Sequence, residues 1–134
     1  MQNSNMDIYT CKAKTLYDGE WITGYYLQGK DYLYDKPMHF IFQANEVTVF
    51  PRSEFTDAHE IDPSTLCRCT GAVDKHGNLI FEHDILHGTV YHMFDAINET
   101  FEVHWLDDVG GWGLNYFEPS DCEIIGNKFD NTNL

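Results

Sequence analysis

The chain has 134 residues, of which 22 are Asp or Glu and 8 are Lys or Arg, so its formal net charge is -14. This length fits one ordinary domain and lets a hydrophobic core form without metal or disulfide support. The charge argues against direct nucleic-acid binding, which requires clustered basic side chains facing the phosphates.

Aromatic residues make up 15% of the chain, which favours strands over helices because aromatic side chains pack well on a pleated surface. No apolar segment follows a basic N-terminus, and every apolar run is shorter than a membrane span. We therefore expect a cytoplasmic protein with no membrane contact and with reduced cysteines. Cys67 and Cys69 are expected on the core-facing side of one strand.

In chain order, the first predicted element is a β-hairpin formed by residues 9–16 and 20–27. Its turn is Asp18-Gly19, a dipeptide typical of type I′ turns because both central residues need a positive φ. In the second strand, Gly24 is expected at a bulge or at a close approach of two backbones.

The next segment is predicted to be a loop over residues 29–38, followed by a second hairpin formed by residues 39–42 and 46–50. Residues 52–60 are expected to form a surface loop. Residues 62–66 predict one short helical turn, because an Asp can cap it and a Pro occupies its first position.

The second half is predicted to be a run of short strands over residues 69–73, 78–86, 89–93, 100–106, 112–117 and 122–125. Between the first two strands, Asp74 and Gly77 fit the ends of a type I turn, with Gly77 in the left-handed conformation. Short strands at this spacing indicate a small barrel or sandwich. The predicted fold is mainly β with antiparallel hairpins and little helix, in an N-terminal hairpin region over 1–66 and a barrel region over 67–134, either separate or interleaved.

A candidate metal site consists of His92, Glu102 and His104. If residues 89–93 pair with residues 100–106, the two histidines become cross-strand neighbours. Two imidazoles and a carboxylate could then bind zinc, although no recognised ligand spacing is present. Ordinary surface histidines are the competing interpretation.

A candidate binding surface consists of the aromatic residues Trp105, Trp112 and Tyr116. If they line a groove beside a loop, they form a peptide-docking surface of the kind that small barrels use. Strand alternation further predicts that Tyr91 and Met93 face the core.

No catalytic constellation is evident. The serines lie in polar loops without a glycine elbow, and the thiols of Cys67 and Cys69 have no local basic neighbour except Arg68, which is expected on the other side of the strand. Glu82 and Asp84 are predicted on one outward strand face, as ordinary surface acids. We therefore expect no enzymatic activity and no cofactor.

The stretch TGAVDKHGNLIFEHDI at residues 70–85 has the form of a family signature, and residues 12–26, 61–66 and 123–131 contain three further motifs. In sequence, order and spacing, these four motifs resemble those of the YopX protein family. The family usually has Gly between the Glu and Asp of the central motif, where this chain has His83. This departure argues against a required positive φ at that position.

The resemblance implies a phage or prophage protein acting inside the host bacterial cell. It also implies a β-rich fold with an SH3-like barrel in the C-terminal half, a tendency to form homo-oligomers, and no catalytic residue. Our interpretation is a non-catalytic acidic binding or assembly module with a host or phage protein partner. Two alternatives stay open: a metal-dependent enzyme with a His/Glu site, and a nucleic-acid charge mimic that binds a basic host protein.

Overall fold

The computed structural model describes residues 9–43, 58–113 and 116–130. It divides the chain into two compact units, Met1–Arg68 and Cys69–Leu134. The strands of the described residues are β1 (Thr10–Lys14), β2 (Trp21–Asp31), β3 (Lys36–Phe42), β4 (Ala58–Glu60), β5 (Cys67–Val73), β6 (Leu79–Phe81), β7 (Asp84–Tyr91), β8 (Ala96–Glu102) and β9 (Glu123–Asn127).

Helix is confined, in the described residues, to two single 3-10 turns, Pro63–Thr65 and Pro119–Asp121. The predicted mainly β class with little helix is therefore confirmed. None of the helical segments found there has the length and apolar character that a bilayer span needs.

The first unit is an antiparallel sheet in the order β4-β3-β2-β1, and the first residues of β5 pair with β1. Its core contains Cys11 and Ala13 of β1, Ile41 of β3 and Ile61. Alternate residues of a strand point to opposite faces, so Lys12 and Lys14 are only partly buried. The predicted close approach at Gly24 is confirmed, because a Cβ there would lie 2.3 Å from the carbonyl oxygen of Phe42.

The first hairpin forms, but the predicted type I′ turn is wrong. Gly19 has a φ of +74°, whereas Asp18 does not adopt a positive φ. The backbone N–H of Thr15 donates to the carbonyl of Glu20, which leaves four residues in the loop. The carboxylate of Asp18 accepts hydrogen bonds from the hydroxyl of Thr15 and the N–H of Glu20. The side chain of Asp18 therefore closes this loop.

The predicted loop over residues 29–38 is mostly strand. β2 extends to Asp31 and β3 begins at Lys36, and these two residues pair. The exposed ends of both strands lack an apolar alternation, so no strand pattern is present there. β4 pairs with β3, so the predicted surface loop over residues 52–60 is wrong at its C-terminal end, which is a strand. The predicted strand over residues 46–50 lies outside the described residues.

The predicted helical turn is confirmed by its cap. Pro63 begins the turn, and Oδ1 of Asp62 accepts a hydrogen bond from the N–H of Ser64 at 3.0 Å. In the following strand, Cys67 and Cys69 are buried and Arg68 is exposed, as predicted from alternation. None of the four cysteines forms a disulfide.

The second unit contains the antiparallel pair β5-β6 and a sheet in the order β8-β7-β9. Its core is formed by the side chains of Ile80, Leu86, Val103, Phe117 and Cys122. The predicted turn between β5 and β6 is confirmed. The N–H of Gly77 donates to the carbonyl of Asp74 at 3.0 Å, and Gly77 has a φ of +82°.

Two predicted boundaries in this unit are wrong. A turn at Glu82 and His83 separates β6 from β7, although residues 78–86 were predicted as one strand. The predicted loop after residue 93 is mostly β8, whose residues are largely exposed and give a weak apolar pattern. As a result Val90 packs on the core, whereas Tyr91 and Met93 are exposed, which reverses the predicted facing.

Candidate functional site

The second unit carries an open groove with a volume of about 210 Å³. Its apolar lining comes from Val90, Phe101, Val103, Leu106, Trp112, Tyr116 and Phe117. Its polar lining comes from His92, Glu99, Glu102 and His104. The groove therefore combines an apolar floor with carboxylates and imidazoles.

The floor of the groove is built by long-range pairing. Phe101 of β8 packs edge-on against Phe117, with 4.8 Å between ring centroids. Phe117 forms a β-bridge with Val90, and the N–H of Tyr91 donates to the carbonyl of Tyr116 at 2.7 Å. These contacts hold Tyr116 and Phe117 against β7 and fix Tyr116 beside the floor.

The predicted aromatic residues come together in the structure. Trp112 and Tyr116 line the groove directly. Trp105 packs edge-on against Trp112, with 5.1 Å between ring centroids, because Leu106 and Gly111 pair across the turn between them. Trp105 is 38% exposed and Tyr116 is 46% exposed. Their role in binding stays a prediction.

The predicted metal ligands all border the groove, but they do not form one cluster. Oε2 of Glu102 lies 3.8 Å from Nδ1 of His104 and 2.7 Å from Nδ1 of His83. His92 instead contacts Glu99, with 3.1 Å between Nε2 and Oε1. The structure thus places His83, rather than His92, beside the other two predicted ligands.

The pairing of β7 with β8 explains why His83, and not His92, lies beside Glu102 and His104. Ile85 pairs with Glu102, and just beyond this pair the N–H of His83 donates to the carbonyl of Val103 at 2.8 Å. The rings of His83 and His104 therefore lie close together, with 6.1 Å between their centroids. His92 lies at the other end, in the hairpin turn, where its N–H donates to the carbonyl of Asp95 at 2.7 Å. The predicted cross-strand pairing of His92 with His104 is therefore wrong.

His83 is one of the histidines that the sequence offers as metal ligands, but the predicted strand over residues 78–86 leaves it out of the candidate metal site. It has a φ of +72°, so the inference that this position needs no positive φ is wrong. A positive φ at the third position of a tight turn is what glycine normally supplies. The glycine usual at this position of the family motif was the signal that could have revealed the turn.

The backbone of His83 is held on both sides. Its N–H donates to the carbonyl of Val103 at 2.8 Å, and its carbonyl accepts from the N–H of Lys128 at 2.9 Å. Its ring packs edge-on against the ring of Phe129, with 5.7 Å between centroids. These contacts offset the strain of the left-handed conformation, which costs a non-glycine residue about 1–2 kcal/mol.

Two buried polar groups near the site have structural roles. Asp84 was predicted on an outward face with Glu82, but it is 2% exposed and its Oδ2 accepts from the N–H of Phe81 at 2.8 Å. Burial raises the pKa of the Cys122 thiol, and the nearby charges of Asp121 and Glu118 raise it further. A protonated, buried thiol is a poor nucleophile.

The chain matches a known protein family. The family model described as YopX protein matches residues 12–134, which is nearly the whole chain. No curated protein and no solved structure matches the chain significantly.

Proposed function

The chain belongs to the YopX protein family, and we propose that it is a non-catalytic binding module whose groove takes a basic, partly apolar peptide segment. The peptide would come from a host or phage protein in the bacterial cytoplasm, as the resemblance implies. The observation that carries the proposal is the apolar floor of the groove between exposed aromatic side chains and the carboxylates of Glu99 and Glu102.

The size of the groove fits part of a longer peptide better than a whole drug-sized ligand. Ligand pockets of about 300–1,000 Å³ are usual for drug-sized molecules, and this groove measures about 210 Å³. A volume of that kind accommodates one or two side chains of a longer segment. The exposed aromatic rings of Trp105 and Tyr116 would cover apolar side chains of the peptide, as aromatic residues commonly do at interfaces.

The charge of the groove supports a basic peptide. The side chain of Glu99 is 41% exposed and that of Glu102 is 28% exposed, so both can reach a Lys or Arg of the peptide. The net charge of -14 adds a long-range attraction that speeds the encounter with basic partners and weakens as salt is added.

The burial of the thiols supports a role without a cysteine nucleophile. Cys11, Cys67, Cys69 and Cys122 are all buried. A cysteine nucleophile needs a partly exposed and electropositive surrounding, which a buried thiol next to acidic residues does not have.

Titration with synthetic peptides tests the proposal. The probes are peptides in which Leu or Phe alternates with Lys, and a matched set carries Glu in place of Lys. We expect the Lys peptides to change the tryptophan fluorescence and the Glu peptides to leave it unchanged. Tyr116→Ala should weaken binding about tenfold, as loss of an aromatic contact residue often does.

The control is Tyr25→Ala in the first unit, because Tyr25 is 42% exposed and Tyr116 is 46% exposed. This control should bind the Lys peptides as the wild type does. Absence of binding at low salt, or equal loss in both variants, would contradict the proposal. Salt-sensitive binding that ignores Tyr116→Ala would instead favour the nucleic-acid charge mimic, which uses the acidic surface as a whole.

We also propose that the second unit is an SH3-like barrel and that the protein forms homo-oligomers. The short antiparallel strands β5 to β9 support the first statement, and the family resemblance supports both. An experimental structure would test barrel closure. Sedimentation equilibrium would test self-association, and a single monomeric species at all concentrations would contradict it.

A further inference from the structure

We propose that His83, Glu102 and His104 form a binding site for one divalent cation, with zinc as the best fit. Among the described residues, these three offer ligand atoms that all lie within 4.8 Å of one another. Imidazole nitrogen and carboxylate oxygen are ligands that zinc accepts. Two imidazoles favour zinc or a related transition metal over magnesium or calcium, which prefer oxygen ligands.

The two distances from Glu102 require only small side-chain movements, and the ligand atoms of His83 and His104 lie within 4.8 Å of each other. Oε2 of Glu102 is 2.7 Å from Nδ1 of His83 and 3.8 Å from Nδ1 of His104. In a tetrahedral site with metal–ligand bonds near 2.0–2.1 Å, neighbouring ligand atoms are about 3.4 Å apart. The first distance must lengthen and the second shorten by less than about 1 Å, with the cation replacing the proton between His83 and Glu102.

The surroundings of His83 hold its ring ready for such a role. Its backbone is fixed by Val103 and Lys128, and its ring contacts Phe129. Its other ring nitrogen, Nε2, lies 3.9 Å from Oε2 of Glu82, which is longer than a hydrogen bond. A side-chain movement of about 1 Å would let Glu82 orient the imidazole, as carboxylates commonly do at metal sites. Strained backbone that the fold maintains is found preferentially at functional sites.

The cluster also leaves room for a fourth ligand. The side chain of His104 is 56% exposed, and Glu102 and His104 border the groove. A water molecule or a side chain of a bound partner could complete the coordination, as in zinc sites with three protein ligands. The cation site does not depend on the proposed peptide, because its three ligands belong to this chain.

The chain supplies matched controls for this site. His92 pairs with Glu99, and His76 lies 3.7 Å from Glu123. Each of these pairs has only one histidine beside its carboxylate. The side chains of His92, His76 and His104 have similar exposures of 51%, 54% and 56%, so substitutions at all three should be tolerated equally well.

The test uses the full chain without an affinity tag, stripped with a chelator and titrated with zinc by calorimetry. Cobalt absorption spectra report the coordination geometry. We expect one ion per chain and a higher melting temperature with zinc. His104→Asn and Glu102→Gln should each weaken zinc binding at least tenfold, because each removes a ligand. His92→Asn and His76→Asn should bind zinc as the wild type does.

A third ligand variant distinguishes loss of zinc binding from misfolding. His83→Gly removes an imidazole and also relieves the positive φ, so it should lose zinc while keeping the wild-type circular dichroism spectrum. Absence of micromolar zinc binding by the wild type would overturn the proposal. So would wild-type affinity in the ligand variants, or an equal loss in His92→Asn. Peptide binding is measured separately without zinc, which keeps failure of the two proposals distinguishable.

Discussion

The carboxylate of Asp74 accepts a hydrogen bond from the backbone N–H of Ile124, with 3.1 Å between Oδ2 and N, across 50 positions of the chain. Its other oxygen accepts from the N–H groups of His76 and Asn78, each at 2.9 Å. Asp74 is 3% exposed. A single buried side chain therefore shapes the turn after β5 and ties it to β9.

We expect Asp74→Ala to destabilise the protein by about 2–4 kcal/mol, because three backbone donors lose their acceptor and the N–H of the half-buried Ile124 has restricted access to water. The measurement is urea unfolding at neutral pH. Asp108→Ala is the control, since Asp108 is exposed and its loss should change the free energy of unfolding by less than about 0.5 kcal/mol. If both variants change the free energy of unfolding equally, the hydrogen bonds of Asp74, including the one from Ile124, do not contribute measurably to stability.

The same residue predicts a pH dependence. Burial raises the pKa of Asp74, but the hydrogen bonds from Asn78, Ile124 and His76 outweigh burial and hold the pKa below its usual 3.8. The folded state then binds this proton less readily than the unfolded state does. The stabilisation is present above the unfolded value and is lost as the pH falls through the folded value.

Urea unfolding from neutral pH to below pH 4 checks this dependence. Asp74→Asn lacks the titrating group, so the stability difference between wild type and variant should shrink in acid. A difference that stays constant over this range would mean that the pKa of Asp74 is not lowered.

Gly88 of β7 lies directly against Cys122. A Cβ at position 88 would be 2.5 Å from Sγ and 2.9 Å from Cα of Cys122, and the Cα atom cannot move away alone. Gly88→Ala should therefore cost about 1–3 kcal/mol, the usual range for overpacking. Thermal and urea unfolding measure the loss.

The matched control is Gly111→Ala, because a Cβ at Gly111 meets nothing within 4 Å. It should be neutral or slightly stabilising. Adding Cys122→Ala to Gly88→Ala should recover part of the loss, since the closest atom is then absent. If Gly88→Ala is as stable as Gly111→Ala, a methyl group fits between β7 and Cys122 and the close contact at Gly88 is contradicted.

His83 predicts an unusual order of stability between two small residues. His83→Ala and His83→Gly both remove the imidazole, but only glycine adopts a φ of +72° without strain. His83→Gly should be the more stable by about 1 kcal/mol. At His87, which lies in β7 without a positive φ, the order should be reversed, because glycine weakens a strand. The same order at both positions would contradict the backbone assignment.

The buried thiols predict slow chemical modification. Burial and the charges of Asp121 and Glu118 raise the pKa of Cys122, and the other three cysteines are also buried. A thiol-specific reagent near neutral pH should label none of them in the native protein and all four in denaturant. Mass spectrometry after brief labelling gives the result for each cysteine, and rapid native labelling of Cys122 would disagree with its burial.

Features that depend on neighbouring residues were readable from the sequence. The cap of Asp62 on the Pro63 turn and the turn from Asp74 to Gly77 both follow from local hydrogen bonds within three or four residues. The strand-rich class follows from composition, and four ordered motifs placed the chain in its family. These predictions needed no knowledge of which strands pair.

Pairing was decided only by the tertiary structure. The β7-β8 hairpin turns at residues 92–95, which the sequence does not predict. A shift of one residue in a strand moves every side chain to the other face. The predicted positions of His92 and Val90 are therefore wrong. The partner of His83 is Glu102, 19 positions away, and no local pattern joins them. The sequence determined which residue types could form a groove or bind a cation, and the strand register determined which of them meet.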